Sequence, residues 1–136
     1  MTLEQVTLEL VLMVPDGLVL KSRIHGLSAA DASGRFGLLP GHETFVTVLE
    51  PGLVQFRDEQ DRERFAAVDG GVLVLKDGLL SIACREAIVA ERLEDVAGRA
   101  AAMIEERRAS ELSARADFAE LQATLLKQLR KAEGVP

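Results

Sequence analysis

The sequence predicts a protein of the β + α class, with an N-terminal antiparallel β-sandwich followed by a C-terminal α-helical hairpin. Short aliphatic and β-branched segments separated by turn residues fill positions 1–90, at the spacing typical of a sandwich. From Glu91 onward, alanine and charged residues dominate, and apolar positions recur with the helical period. We therefore expect a β-sandwich domain over residues 1–90 and a helical hairpin over residues 91–136.

The composition favours a soluble protein with an aliphatic core. Hydrophobic residues make up 48% of the 136 positions, and there is no Trp or Tyr. The N-terminus lacks a basic segment, and no apolar run approaches the roughly 18–20 residues of a membrane span, so neither a signal peptide nor a transmembrane segment is expected. The net charge of −6 argues against a nucleic-acid partner. The single cysteine, Cys84, excludes an internal disulfide.

The first two strands are predicted at residues 6–14 and 18–25. Leu8, Leu10 and Leu12 fall on one face of the first strand, and Pro-Asp-Gly at residues 15–17 is a turn sequence. Residues 28–34 consist of small side chains and are interpreted as a loop.

The most distinctive stretch is Gly-Arg-Phe-Gly-Leu-Leu-Pro-Gly-His at residues 34–42. Its glycines and proline predict a tight, defined backbone course. It is not a phosphate-binding loop, because Gly41 is followed by His42 and Glu43 instead of Lys and Ser or Thr. We interpret it as a shaped loop that docks on another surface.

Further strands are expected at residues 44–49, 53–57, 64–68, 72–75, 79–84 and 87–90. Asp77-Gly78 is the strongest hairpin signal, since a type I′ turn needs positive φ at both central positions. The apolar run at 72–75 does not alternate with polar residues. Either that strand is covered on both faces, or one apolar face awaits a partner, and the sequence leaves both open.

Two apolar stripes follow in the helical segment. The first comprises Leu93, Val96, Ala97, Ala100 and Ile104, and the second Ala114, Phe118, Leu121, Leu125 and Leu129. A single helix would be about 60 Å long. An antiparallel hairpin with a break near Ser110 buries both stripes and is the arrangement we expect.

No set of residues forms a convincing active site or metal site. His25 and His42 lack a second ligand at metal spacing, and Cys84 lies in an apolar run typical of a core. Glu86, like other acids in turns, is expected to be solvated. We therefore expect no catalytic residue, no metal and no cofactor.

Lys127, Arg130 and Lys131 make the end of the helical segment basic. Cations at a helix C-terminus are favoured by the macrodipole. The same residues also suit a helix tip that meets an acidic surface. The two interpretations are compatible.

The chain resembles the epsilon subunit of F-type rotary ATP synthases. The resemblance rests on residues 34–42, on Val-Leu-Glu-Pro-Gly at 48–52 and on Phe-Ala-Ala-Val-Asp-Gly-Gly-Val-Leu at 65–73, followed by a charged, alanine-rich helical tail. It implies a non-catalytic central-stalk subunit of a proton- or sodium-translocating enzyme. Its partners would be the gamma subunit, the ring of c subunits and, through the C-terminal helices, the alpha/beta head. Its implied location is peripheral, on the cytoplasmic face of the bacterial inner membrane.

The resemblance also implies functional residues. The ring-contact loop would comprise Ser33, Gly34, Arg35, Phe36, Gly37, Leu38, Leu39, Pro40, Gly41 and His42. The family's C-terminal helices can lie folded on the sandwich or extend toward the catalytic head, where they inhibit ATP hydrolysis. Lys127, Arg130 and Lys131, at the tip of this segment, fit such a switch.

Two departures from the family pattern affect these expectations. Arg35 stands where the family often has an acidic residue, so charge pairing with the ring is altered or reversed. The family's ATP-binding pattern, Ile/Leu-Asp-x-x-Arg-Ala, is not reproduced, because one extra residue separates Asp95 from Arg99. That insertion turns the arginine by about 100° on a helix, so ATP binding is not expected.

Two other classes remain as alternatives to a rotor-stalk subunit. A free-standing β-sandwich adaptor would have no large exposed apolar patch, whereas a stalk subunit would expose one for gamma, expected on the non-alternating strands. A hydrolase would need a pocket with converging ionisable groups.

Overall fold

The computed structural model describes residues 6–132. Those residues form nine strands and one helix: β1 (Leu8–Val14), β2 (Gly17–Asp31), β3 (Gly34–Leu38), β4 (Phe45–Leu49), β5 (Gly52–Asp58), β6 (Glu63–Val68), β7 (Gly71–Lys76), β8 (Leu79–Ala83), β9 (Ala87–Ala90) and α1 (Glu94–Ala132). The predicted order of a β-sandwich followed by helix is confirmed.

The strands pair in the order β1-β8-β7-β4-β2-β5-β6-β9, with β3 attached to β2 and an additional pairing of β1 with β2. Strands β1, β8, β7, β4 and β2 therefore close on themselves, and β5, β6 and β9 continue from β2. All pairings are antiparallel except that of β1 with β8. Closure leaves few free edges on that side of the molecule.

The core is aliphatic, as the composition predicts. Leu8, Leu10 and Leu12 of β1 are all buried, which confirms the face predicted for that strand. They pack in one cluster with alternating residues of the other strands, including Ile24 and Phe56. Because one side chain in two points inward along each strand, every strand contributes to this single interior.

Strand β2 is longer than predicted and joins the two parts of the sheet. It spans 15 residues and pairs in turn with β1, β5, β3 and β4, with an irregularity between Ile24 and Gly26. The loop predicted at residues 28–34 was therefore wrong, since Ser28–Asp31 belong to the strand. Cross-strand pairing outweighs the low β-propensity of these small residues, and Ala29 is completely buried.

The glycine-rich stretch is half strand and half turn. Gly34–Leu38 is β3, paired with residues 27–31 of β2. A turn follows, in which the amide of His42 donates to the carbonyl of Leu39 over 3.1 Å. Pro40 and Gly41, with a φ of 88°, occupy the central positions, which is the residue pattern of a type II turn. The tight backbone conformation expected over residues 34–42 is thus a strand in its first half and a turn in its second.

The hairpin predicted at Asp77-Gly78 is confirmed in detail. Both residues have positive φ, 51° and 78°, as a type I′ turn requires. The turn joins β7 to β8, and Lys76 pairs with Leu79 directly beside it. Asp can adopt this conformation at modest cost, and Gly adopts it freely.

The helical segment differs from the expected hairpin. Within the described residues α1 is one continuous helix of 39 residues, with no break near Ser110. Residues 105–115 contain neither Gly nor Pro, and most are good helix formers, so local sequence favours continuation. Glu94 and Asp95 in the first turn and Arg130 and Lys131 in the last complement the helix dipole.

The chain divides into two compact units, residues 1–104 and 105–136. The first unit contains the sandwich and the first turns of α1. Val96, Ala100 and Met103 are the buried residues of α1, and all three lie in this unit. The described part of the second unit, residues 105–132, consists of exposed helix.

Candidate interaction surfaces

An apolar face covers the outside of β4 and β7. Val46 pairs with Val74 and Val48 with Val72, so the four side chains lie together on one side of the sheet. Their exposed fractions are 62, 36, 65 and 44%, respectively. We call this group the valine face. It resolves the question that the sequence left open, because β7 buries one face and exposes an apolar one.

Strand β8 extends the valine face. Ala83 pairs with Val72, and the exposed Leu79 lies on the same side of β8 as Ala83. The outward residues of a sandwich strand are usually polar. Valine has a high strand propensity, but that explains one or two exposed positions better than a contiguous group. Such a patch is typical of a protein–protein contact.

The tip of the β2–β3 hairpin is fixed by Asp31. One of its carboxylate oxygens accepts hydrogen bonds from the amide and the hydroxyl of Ser33, and the other accepts one from Thr47 Oγ1 at 2.7 Å. These bonds, first that from the Ser33 hydroxyl and then that from Thr47, lower the pKa of Asp31. Gly34 follows with a φ of 120°. The tip is thereby tied to β4 as well as to its own turn.

The turn after β3 presents one large apolar side chain. Leu39 is 66% exposed, whereas its neighbour Leu38 is buried. The His42 ring packs edge-on against Phe45, and its Nδ1 lies 2.8 Å from the carbonyl oxygen of Glu43. The Phe36 ring also packs edge-on against Phe45. Residues of the expected ring-contact loop are thus brought together around one phenylalanine.

The Arg35 side chain on β3 donates hydrogen bonds to two other strands of the sandwich. Its Nη1 donates to the carbonyl oxygen of Leu53 over 3.2 Å, and its Nη2 donates to Ser28 Oγ over 3.0 Å. The two acceptors lie on β5 and β2. Arg35, which departs from the family pattern, therefore donates both of these hydrogen bonds to other strands of the sandwich.

The first turns of α1 pack on the sandwich. Val96, Ala100 and Met103 form a second apolar cluster with the buried Ala67 of β6, and partly buried residues of β5, β6 and β9 join them. The sequence predicted Val96 and Ala100 as part of this stripe but not Met103. Ala97, also predicted, is exposed instead.

An ion pair accompanies this packing. Arg99 donates to both carboxylate oxygens of Glu86, at 2.8 and 2.5 Å. The Arg99 hydrogen bond holds the pKa of Glu86 below its ordinary value. Asp69 accepts from the amides of Arg85 and Glu86, both over 3.0 Å, which fixes the turn that carries Glu86. The expectation that Glu86 is merely solvated was wrong, because Arg99 lies far along the chain and only the fold brings it near.

The described part of the second unit is amphipathic over its C-terminal turns. Phe118, Leu121, Leu125 and Leu129 are all at least half exposed and recur at intervals of three and four residues, which places them along one side. Lys127, Arg130 and Lys131 are related by the same intervals and fall on the opposite side at 100° per residue. The predicted basic tip is therefore a contiguous basic surface.

Metal-ligating side chains do not cluster in residues 6–132. No cluster of three His, Cys, Asp or Glu side chains that could hold a metal occurs in this range. Cys84 is buried, and that burial raises its pKa to about 11, which suppresses the thiolate. No helix of the described residues is long and apolar enough to cross a membrane.

The structure thus defines a β-sandwich interaction domain with an exposed apolar sheet face, followed by an amphipathic helix. The family described as "ATP synthase, Delta/Epsilon chain, beta-sandwich domain" matches residues 7–90. This chain belongs to that family, and the resemblance identified from the glycine-rich stretch is confirmed.

Individual relatives agree with this assignment. The chain is 37% identical over 129 residues to an ATP synthase epsilon chain 2 of Paraburkholderia xenovorans, with 90% of each chain covered. It is 48% identical over 68 residues to an epsilon chain 2 of Cereibacter sphaeroides, covering 49% of this chain and 47% of that one. A chain in the structure of the OSCP, F1 and c-ring parts of the Euglena gracilis mitochondrial ATP synthase aligns with a TM-score of 0.61 and 27% identity, covering 76% of this chain and 65% of that one. Together these place the chain among epsilon-type, central-stalk subunits of ATP synthase.

Proposed function

We propose that this chain couples the catalytic head of an F-type ATP synthase to its membrane ring as a non-catalytic part of the rotor. In this proposal the binding domain is the sandwich together with the first turns of α1, up to Ile104, and the regulatory segment begins at Glu105. The observation that carries it is the valine face, because a rotor subunit must hold its neighbours through surfaces that persist during rotation. Family membership supplies the partners to be tested.

The gamma subunit is the partner we assign to the valine face. The face is apolar and built on paired strands, so it offers a rigid surface that a second protein can cover without reorganisation. Val46 and Val48 are its most exposed members. Covering side chains of this size contributes about 25 cal/mol for each Å² of apolar surface removed from water.

The c ring is the partner we assign to Ser33–His42. These residues are held by Asp31 at one end and by the type II turn at the other, so they form a defined projection on the sandwich. Leu39 is the projection's most exposed large apolar side chain. A pre-organised projection loses little conformational entropy when it binds.

The alpha/beta head is the partner we assign to the C-terminal turns of α1. The apolar stripe and the opposed basic surface of Lys127, Arg130 and Lys131 allow contact with an apolar groove bordered by acidic residues. Occupation of such a groove would inhibit ATP hydrolysis. ATP itself is not a ligand in this proposal, since the Arg99 fork is engaged by Glu86. The working location is the cytoplasmic face of a bacterial membrane.

Reconstitution with a cognate head complex tests these assignments. The complex should contain gamma and lack this chain, and both co-elution and ATP hydrolysis should be followed. The regulatory deletion should begin at Glu105, because residues 94–104 belong to the packing of the first unit. We expect the deletion variant to co-elute as the full chain does and to permit faster hydrolysis.

A charge placed on the valine face tests the gamma contact separately. Val46→Glu should abolish co-elution while leaving the fold intact, since the side chain is largely exposed. Leu39→Glu is the matched control, because Leu39 is 66% exposed but lies in the turn assigned to the c ring, which the head complex lacks. Equal binding by both variants would remove gamma from the valine face. Failure of the well-folded parent protein to co-elute would favour the free-standing adaptor instead.

A further inference from the structure

Arg35 connects three strands through one side chain. It lies on β3, and its guanidinium donates to Ser28 on β2 and to the backbone of Leu53 on β5. A guanidinium carries its donors in a rigid fork, so two acceptors in different directions fix its orientation. The two hydrogen bonds therefore link β3 to a side-chain hydroxyl of β2 and to a backbone carbonyl of β5.

The position of these bonds coincides with an opening in the sheet. The ladder between β2 and β5 ends at the pair Ser28 and Gln55, and Leu53 lies two residues beyond it on β5. A cavity of about 240 Å³ occupies this place, and its lining includes Ala30, Leu53 and Arg35. Because the strands have separated there, backbone bonds no longer hold β2 to β5, and the arginine supplies a connection.

We propose that Arg35 is a positioning residue that holds the β2–β3 hairpin against β5 and thereby sets the placement of the ring-contact loop. This inference rests on the proposed contact between Ser33–His42 and the c ring. Arg35 is then a brace within the chain, and ring recognition falls to exposed neutral side chains such as Leu39. The competing interpretation is that Arg35 contacts a charge on the ring directly.

Two substitutions of Arg35 in the full-length protein separate the brace from the contact charge. Arg35→Lys keeps the positive charge, but one ammonium cannot reproduce the fork that reaches both acceptors. Arg35→Met keeps an apolar stem and removes charge and donors. Arg85→Met is the control, because the Arg85 side chain is 91% exposed. The measurements are amide hydrogen exchange in residues 34–38, the unfolding midpoint, and affinity for purified c ring at several salt concentrations.

The brace predicts the same result for both substitutions. Exchange in β3 should become about three- to tenfold faster, the factor expected when one or two modest hydrogen bonds are lost. Ring affinity should fall by a similar factor in both, with an unchanged salt dependence. The unfolding midpoint should fall only by the small amount that one or two lost hydrogen bonds allow. A residue needed only for stability would also lower the midpoint, but it would leave the ring affinity of the folded protein unchanged.

Other outcomes overturn the inference. Parent-like affinity of Arg35→Lys, with a weaker salt dependence in Arg35→Met, would make Arg35 a contact charge. Unchanged exchange in both variants would exclude the brace whatever the affinities are. If the parent protein does not bind the ring at all, the ring assignment itself fails, and the exchange measurement still decides whether Arg35 holds the hairpin.

Discussion

Ending the chain at Ala90 should destabilise the sandwich, whereas ending it at Ile104 should not. The two truncated proteins differ by the first turns of α1, which pack on the strands. Val96 and Met103 are 0 and 2% exposed in this packing. Removing them uncovers the apolar surface of Ala67 and its neighbours as well as deleting the helix itself. A boundary drawn at the end of β9 therefore divides a packed unit.

The magnitude follows from the buried side chains. Full burial of an aliphatic side chain contributes about 1.5–3 kcal/mol, so Val96 and Met103 together contribute about 3–6 kcal/mol. Ala100 adds about one methyl group, roughly 0.8 kcal/mol. These are upper values, because an unfolded chain already buries part of its surface. We expect residues 1–90 to be less stable than residues 1–104 by about 3–5 kcal/mol, a large fraction of the 5–15 kcal/mol typical of a domain.

Urea unfolding of the two proteins, followed by far-UV circular dichroism, measures this difference. A third protein ending at Arg115 is the control, since residues 105–115 are exposed and should add no stability to the sandwich. Unfolding midpoints that agree for residues 1–90 and 1–104 would refute the reasoning, because they would mean that the apolar cluster contributes nothing. A large gain from residues 105–115 would refute it in the opposite sense.

Four further predictions concern single residues. Gly71→Ala should lower the free energy of unfolding by about 3 kcal/mol or more in urea titrations, because the new Cβ would lie 2.2 Å from a backbone carbonyl at a φ of 116°. Gly98→Ala should instead raise it by about 0.5–1 kcal/mol, since the helical Cβ meets nothing within 4 Å. The hydrogen bond from Ser33 lowers the pKa of Asp31, so the ionised carboxylate stabilises the fold above the ordinary carboxyl pKa, and this stabilisation is lost as the pH falls through the lowered value. The unfolding midpoint of Asp31→Asn should therefore depend less on pH in the acid range than that of the parent. Cys84, with a pKa of about 11, should react with a maleimide at pH 8 only after unfolding, and rapid labelling of the native protein would contradict its burial.

The sequence was sufficient where local chemistry decides structure. Asp77-Gly78 specified its turn because few residues tolerate positive φ, and the alternation in β1 identified the buried face. The glycine-rich stretch also identified the family. These features depend on neighbouring residues alone, so a single chain displays them.

The sequence was insufficient where distant segments decide structure. Residues 28–31 have little strand preference of their own and became strand through pairing with β3 and β5. Glu86 and Arg99 form an ion pair that no local pattern indicates. The helical period alone places the first stripe through Ile104, yet Ile104 is 42% exposed and Met103 is buried, because the direction from which the sheet approaches the helix selects between them.

The helical segment illustrates a different difficulty. Compactness favours a hairpin that buries both stripes, whereas local propensity favours one helix, since no Gly or Pro interrupts residues 105–115. The continuous helix leaves Phe118, Leu121, Leu125 and Leu129 exposed within the described residues. The local sequence therefore determines that the helix is continuous. It does not determine which surface, if any, buries these four apolar side chains.

The valine face and the helical stripe have a common physical meaning. Each is a contiguous set of apolar side chains on a regular element, and each exposes more apolar surface than solubility favours. A chain whose core is otherwise complete, with Leu8, Leu73 and Leu80 almost fully buried, does not need these residues to fold. Their retention on the outside is explained when other proteins cover them. In the function proposed above, gamma and the alpha/beta head would be these proteins, whereas a free-standing adaptor is expected to have no large exposed apolar patch.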